Sequence, residues 1–193
     1  MADKKVRFGI EQVYYAMQEE GGTFGTPKPL LGAVALSIEA QGESSTFYAD
    51  DGAYETFSAN GGYTGELEIA FLDDDAAADL LGEVKDSAGG IYEDADAQPK
   101  SFALLFMTKG NINDKRYAFY SCKLSRPSMD ANTTSDTVEP DTITLPFAAI
   151  PMSMEVGEET KNVVKYTVEN STTGATAYNA WYTAVQTPQA AAA

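Results

Sequence analysis

The sequence contains no histidine and a single cysteine, Cys122. Without histidine the chain lacks the usual general base, the commonest transition-metal ligand and any triad of the Ser-His-Asp type. One cysteine excludes an internal disulfide and a metal site built from cysteines alone. Cys122 stands in an apolar run, so we expect a buried structural thiol and not a nucleophile.

Basic residues are also scarce, since 13 lysines and arginines face 29 acidic residues and leave a formal net charge of −16. A charge of this sign repels phosphate backbones and anionic lipid surfaces, which disfavours binding to nucleic acids and membranes. No apolar run approaches the roughly 20 residues of a membrane helix, and no signal-peptide pattern follows Met1. We therefore expect a protein that is made and kept in the cytoplasm and has no membrane partner.

Short alternating runs dominate the rest of the sequence and predict strands with one buried face at residues 33–39, 66–71 and 141–148. Residues 102–107 are apolar at every position, which predicts a central strand. That strand and residues 116–124 are predicted to form a hairpin, and residues 8–17 a further strand. The predicted buried faces consist of Val34, Leu36 and Ile38, of Leu67, Ile69 and Phe71, and of Ile143, Leu145 and Phe147.

One segment favours a helix, at about residues 73–82. Three aspartates, Asp73 to Asp75, precede an alanine-rich run that ends at Gly82, as expected for a capped helix start and a glycine stop. The aspartates could also bind a hard cation, but no second carboxylate cluster at ligand spacing accompanies them. We therefore predict one short helix and no metal site.

The predicted fold is mainly β, a sandwich or barrel with this one helix, a long loop and extended terminal arms. The expected division is a β domain at residues 1–155, with a loop or arm at about 41–63, and a C-terminal extension or arm at 156–193. Residues 41–63 are polar and glycine-rich but carry five aromatic residues, which is unusual for a monomer's surface loop. Residues 129–140 are predicted to be a long solvated connection.

The residues show no catalytic constellation, so we expect no enzyme, no catalytic residue and no cofactor. Two other classes remain open on the residues alone. One is a carbohydrate- or protein-binding β-sandwich module that uses Trp181 and the tyrosines. The other is a small hydrolase that uses a pair of carboxylates.

Four segments together resemble the major tail protein, or tail tube protein, family of long-tailed, non-contractile (siphovirus-like) bacteriophages. No single motif is diagnostic, and the order and combination of the segments carry the resemblance. The segments are FGIEQVYYAM with GTFGTPKPLLGAVALSIEAQGESSTFYADD, then SANGGYTGELEIAFLDDDAAADLLGE, then PKSFALLFMTKGNINDKRYAFYSCKLSRPSM, and finally TITLPFAAIPM with ATAYNAWYTAV.

The resemblance implies a structural subunit whose hexameric rings stack into a hollow tube through which phage DNA passes. Strands of neighbouring subunits would join into a lumen barrel, and a long loop and terminal arms would contact the next ring. The implied partners are further copies of the chain and the tape measure, tail tip and tail terminator proteins. The implied location is the virion tail, assembled in the host bacterial cytoplasm.

Aromatic and acidic residues provide the candidate sites. Contacts between subunits are expected from Phe47, Tyr48, Tyr54 and Phe57 in the loop, and from Tyr178, Trp181 and Tyr182 in the C-terminal arm. Alternatively, these aromatic residues close the subunit's own core. Glu66 and Glu68 are expected to line an acidic lumen, where carboxylates would repel phosphate and let the duplex slide.

Overall fold

The computed structural model describes residues 6–49, 51–110, 112–129 and 141–190, and the fold is mainly β, as predicted. Residues 130–140, nearly all of the predicted 129–140 connection, lie outside the described residues. The same holds for residues 1–5 and 191–193 of the predicted arms. The elements are β1 Arg7–Met17, β2 Lys28–Pro29, β3 Ala33–Gln41, β4 Ser44–Ala49, β5 Gly52–Ser58, β6 Gly62–Ile69, α1 Asp74–Leu80, β7 Val84–Lys85, β8 Ile91–Tyr92, β9 Phe102–Gly110, β10 Lys115–Leu124, β11 Ile143–Ala149, β12 Met152–Val156, β13 Glu159–Val163, β14 Lys165–Glu169 and α2 Ala175–Ala180.

Most strands form one antiparallel sheet in the order β2-β1-β9-β10-β11-β6-β3, and β14 pairs with β10 beside this path. The predicted hairpin is confirmed as β9 and β10. β1 bulges near Gly9 and Gln12, which both have positive φ, and bulges of this kind bend a strand. β1 thereby approaches β3, but no ladder joins these two described strands, so the sheet is not closed into a barrel.

The central strand β9 separates two hydrophobic cores, because it is apolar on both faces. Phe102, Leu104 and Phe106 pack into a first core on one face of the sheet, together with α1. Ala103, Leu105 and Met107 pack into a second core on the other face, which is covered by α2 and the β12–β13 hairpin. The sequence of β9 alone predicted a strand buried on both sides, and this is confirmed.

Helix α1 is confirmed with the predicted cap. Asp73 accepts a hydrogen bond from the Ala76 amide at 2.7 Å, and Gly82 follows the helix with φ of 79°. Leu80 and Leu81 are buried in the first core. The position of Asp73 explains the aspartate cluster as a helix start, because a carboxylate satisfies amides that have no partner within the helix.

Several local expectations were wrong. Val34 is 52% exposed because a bulge between Ala33 and Ala35 shifts the alternation, and Phe71 is 67% exposed because β6 ends at Ile69. The other predicted members of the apolar faces are buried or packed against the first core. The segment 41–63 is not an irregular loop, because β4 and β5 pair within it as a hairpin.

The C-terminal part of the chain, expected to be an extension or arm from residue 156, contains paired strands. The predicted boundary between residues 155 and 156 lies in the β12–β13 hairpin, and β14 then pairs with β10 of the main sheet. The segment 175–180 forms a second helix, α2, where one helix in total was predicted. Its six residues carry no side-chain N-cap, so the sequence offers little sign of a helix start.

Candidate assembly surfaces

The hairpin of β4 and β5 carries four exposed aromatic side chains, among them Tyr48 and Tyr54, the most exposed aromatic residues that the structure describes. Because Phe47 pairs with Glu55 and Ser45 with Phe57, the two phenylalanines lie on one face of the hairpin. Phe47 also meets the Tyr54 ring edge-on, with 6.3 Å between centroids. Exposed apolar patches are uncommon on monomers and are typical of interaction surfaces. The exposed fractions are 57% for Phe47, 70% for Tyr48, 70% for Tyr54 and 57% for Phe57.

This aromatic hairpin continues the edge of the main sheet. β3 ends at Gln41 and β6 begins at Gly62, and the Gly61 amide donates to the Gln41 carbonyl at 2.8 Å. The Ala59 amide then donates to the Glu43 carbonyl at 2.9 Å. β3 and β6 therefore continue beyond the main sheet as β4 and β5. The aromatic side chains of this hairpin lie away from both cores.

The edge itself is β3. β3 pairs with β6 on one side and has no paired strand on the other among the described residues. An edge of nine residues leaves a row of backbone donors and acceptors that can pair with another chain. Leu36 and Ile38 are only partly buried, so they too have surface to offer a neighbour.

The outer face of β3 and β6 is acidic. Glu66 pairs with Ser37 and Glu68 with Ala35, while Leu67 between them is buried in the first core. Glu66 is exposed, and Glu68 accepts a hydrogen bond from the Thr142 hydroxyl at 2.6 Å. Both carboxylates thus face away from the first core.

Glu39 is a further acidic residue of this face, and it was not among the residues predicted to line a lumen. It pairs with Thr64, two positions along β6 from Glu66. The alternation of residues 33–39 already placed Glu39 next to the inward-facing Ile38, so this signal was sufficient to find it.

The three C-terminal aromatic residues lie at the second core. Trp181 is fully buried and Tyr178 is 7% exposed, while Tyr182 is half-buried and stacks on Tyr14 with 4.3 Å between centroids. The Arg116 guanidinium lies 3.8 Å from the Tyr178 ring centroid and 4.6 Å from that of Tyr182. Trp181 and Tyr178 therefore fit the alternative prediction, in which the C-terminal aromatic residues close the subunit's own core. A carbohydrate-binding module would need Trp181 on the surface, where it is not found.

Groups suited to chemistry are few in the part of the chain that the structure describes. It contains no group of three or more His, Cys, Asp or Glu that could hold a metal ion. Burial raises the pKa of the Cys122 thiol to about 12, so this group stays protonated and is a poor nucleophile. No helix within the described ranges is long and apolar enough to cross a bilayer.

The family model for phage tail tube protein matches residues 15–184, from the second half of β1 to just beyond α2. The chain belongs to the phage tail tube protein family. No individual curated protein matches the chain. The family makes this protein a structural component of a phage tail, one that assembles with its own copies into a tube. It also indicates a protein without enzymatic activity.

Proposed function

We propose that this tail tube protein forms hexameric rings that stack into the tube of a non-contractile, siphovirus-like tail. The observation that carries the stacking contact is the aromatic hairpin, because its four exposed rings extend beyond the sheet edge and have no core of their own. Phe47, Tyr48, Tyr54 and Phe57 dock on the next ring in this proposal. Aromatic residues suit this role, since they supply large contact areas at interfaces.

Neighbouring subunits of a ring pair through the edge strand β3. The unpaired side of β3 becomes part of a sheet that continues from subunit to subunit, which removes an edge that is an aggregation hazard in a monomer. Hydrogen exchange measured by mass spectrometry tests this contact. The amides of residues 33–41 that are unpaired in the monomer exchange slowly in the tube, and equal exchange in both states would contradict the pairing.

The outer face of β3 and β6 then lines the lumen. Glu66 and Glu68 present carboxylates to the DNA, and a wall of the same sign as the phosphates lets the duplex pass without being held. The proposed partners are the tape measure protein inside the tube, and the tail tip and tail terminator proteins at its ends. Assembly takes place in the host bacterial cytoplasm.

Negative-stain electron microscopy of the purified protein across a concentration and salt series tests the proposal. High salt screens the repulsion between subunits that each carry a formal charge of −16, so it favours stacking. Hollow tubes with a regular axial repeat and sixfold end views are expected. Particles that remain monomeric under all conditions, and also with tail tip components added, would contradict the proposal.

A further inference from the structure

We propose that Asn60 is a site of spontaneous covalent modification, where it converts into aspartate or isoaspartate through a cyclic imide formed with Gly61. Asn60 is the only one of the seven asparagines that glycine directly follows. It is exposed, and it lies between the end of β5 at Ser58 and the start of β6 at Gly62. Gly61 has no side chain to hinder its own main-chain nitrogen, so this pair is well suited to ring closure.

The reaction needs water and no other reactant. Hydroxide removes the proton of the Gly61 amide, whose nitrogen then forms a bond to Cγ of Asn60. The bond between Cγ and Nδ2 breaks, and the amino group leaves as ammonia with a proton from water, which regenerates hydroxide. Addition of water then opens the imide ring. Opening at Cγ gives aspartate, and opening at the main-chain carbonyl gives isoaspartate, in which the main chain runs through the former side chain.

One hydrogen bond prepares the Asn60 side chain for this attack. The Gly62 amide donates to Asn60 Oδ1 at 3.0 Å. This turn folds the side chain over the Gly61 peptide group, which lies between the donor and the acceptor. Negative charge develops on Oδ1 as the nitrogen attacks Cγ, and the Gly62 amide already points at that oxygen, so it stabilises the charge.

A second hydrogen bond restrains the attacking group. The Gly61 amide donates to the Gln41 carbonyl at the end of β3, at 2.8 Å. A Cβ added at Gly61 would lie 3.3 Å from this oxygen, so a glycine suits the close approach of the two segments. While the bond is formed, the Gly61 nitrogen is held towards β3 and keeps its proton. The reaction therefore requires a local opening of this bond and not the unfolding of the sheet.

The two products should affect the aromatic hairpin differently. Isoaspartate inserts one additional carbon into the main chain before Gly61, which displaces the Gly61 amide from the Gln41 carbonyl at the base of the hairpin. Aspartate leaves the main chain unchanged, and its carboxylate can still accept from the Gly62 amide. Chains with isoaspartate should therefore be excluded from tubes, a consequence that rests on the proposed stacking role of the hairpin.

Peptide mapping by mass spectrometry of the full-length monomer, aged at mildly alkaline pH, tests the site. Asn170 and Asn179 are exposed asparagines followed by Ser171 and Ala180, and they serve as internal controls. We expect Asn60 to react faster than both controls. Its reaction should be about tenfold slower in the folded monomer than in guanidinium chloride at the same pH, because one hydrogen bond must open first.

Three results of this mapping would contradict the proposal. Reaction at Asn60 no faster than at Asn170 would overturn the site. Equal rates in the folded and unfolded chain would overturn the restraint by the Gln41 carbonyl. Aspartate as the sole product would overturn the imide route, because direct hydrolysis of the side chain gives no isoaspartate.

Sedimentation of tubes grown from aged, partly modified protein tests the consequence for assembly. Isoaspartate at position 60 should be depleted about tenfold in the tubes relative to the supernatant, the effect of losing one hydrogen bond at the hairpin base. Asn60→Asp adds the charge without lengthening the main chain and should enter tubes like the fresh protein. Asn60→Ser cannot form the imide and should keep its assembly after the same ageing.

The outcomes separate the modification from the tube. Equal isoaspartate in tubes and supernatant would overturn the effect on the hairpin and leave the tube proposal standing. Protein that reacts at Asn60 as expected but forms no tubes would support the site and overturn the tube proposal. Tubes from aged protein without modification at Asn60 would overturn the site alone.

Discussion

Trp181 stacks on Tyr166 with 5.6 Å between the ring centroids and 29° between the ring planes, which joins the end of α2 to β14. The Trp181 side chain is fully buried. We therefore expect Trp181→Ala to lower the free energy of unfolding by about 3–5 kcal/mol, because it leaves a large cavity in the second core. Urea unfolding followed by circular dichroism measures this change.

The control for this variant is Tyr54→Ala on the aromatic hairpin. Tyr54 is 70% exposed, so its truncation should change the stability of the monomer by less than about 0.5 kcal/mol. A loss of unfolding free energy in Trp181→Ala as small as that in Tyr54→Ala would mean that the second core does not depend on Trp181.

The aromatic hairpin should matter for assembly and not for folding. We expect Tyr54→Ser combined with Phe57→Ser to leave the unfolding midpoint of the monomer unchanged, because both side chains are largely exposed. The critical concentration for tube formation should rise at least about 30-fold, the effect of losing one hot spot of about 2 kcal/mol. Sedimentation of tubes across a dilution series gives this concentration.

A matched variant away from the hairpin is Ile112→Ser, whose side chain is 42% exposed in the turn between β9 and β10. It should assemble like the unmodified protein. If the hairpin variant also assembled normally, the ring-to-ring contact would have to lie elsewhere on the subunit.

The sequence predicted those parts of the fold in which side-chain periodicity matches the strand. Leu67 and Ile69 of β6 alternate with polar residues and are buried, and β9 is apolar and buried on both faces. The prediction was wrong at Val34, where a bulge breaks the period of two. A bulge depends on the partner strand, so a single strand's sequence does not reveal it.

Local composition was also insufficient where pairing partners decide the structure. Residues 41–63 look irregular because serine and glycine are frequent, but cross-strand pairs such as Thr46 with Thr56 form a hairpin there. Excess aromatic residues drew attention to this segment, and four of them are exposed there. The same signal could not separate the exposed Tyr54 from the buried Trp181, because burial of Trp181 depends on the distant pairing of β14 with β10.

The acidic outer face of the sheet predicts how assembled tubes treat DNA. Tubes of the unmodified protein should not bind duplex DNA, whereas tubes with Glu66→Lys should bind it, more weakly as salt is raised. Glu66 is preferred for this change because Glu68 also accepts a hydrogen bond from Thr142. Co-sedimentation of short labelled duplexes with tubes measures the binding.

Glu155→Lys is the matched control, since Glu155 is exposed on β12 and its reversal changes the net charge by the same amount. Its tubes should stay free of DNA if position decides the effect. Equal binding by both variants would show that the total charge matters and would remove the argument for a lumen at β3 and β6.

The contact between β1 and α1 predicts a loss of stability at alkaline pH. The Tyr15 hydroxyl donates to Asp79 Oδ2 at 3.0 Å, and Lys28 Nζ lies 2.6 Å from the same oxygen. Burial, and then this hydrogen bond, raise the pKa of Tyr15 above its ordinary value. The stability that Tyr15 contributes is therefore fully present below about pH 10, where the unfolded chain also keeps the proton. It is lost as the pH rises towards the raised pKa of the folded state.

Tyr15→Phe removes this titration, so the stability of the variant should fall less steeply above about pH 10, by about 1.4 kcal/mol per pH unit for the one proton concerned. Burial also raises the pKa values of Tyr120 and Tyr182, so part of the alkaline slope should remain. Urea unfolding at a series of alkaline pH values gives the slope, and Tyr48→Phe, at a 70% exposed position, is the control. Identical slopes for Tyr15→Phe and the unmodified chain would contradict a buried, protonated Tyr15, and with it the packing of α1 against the end of β1.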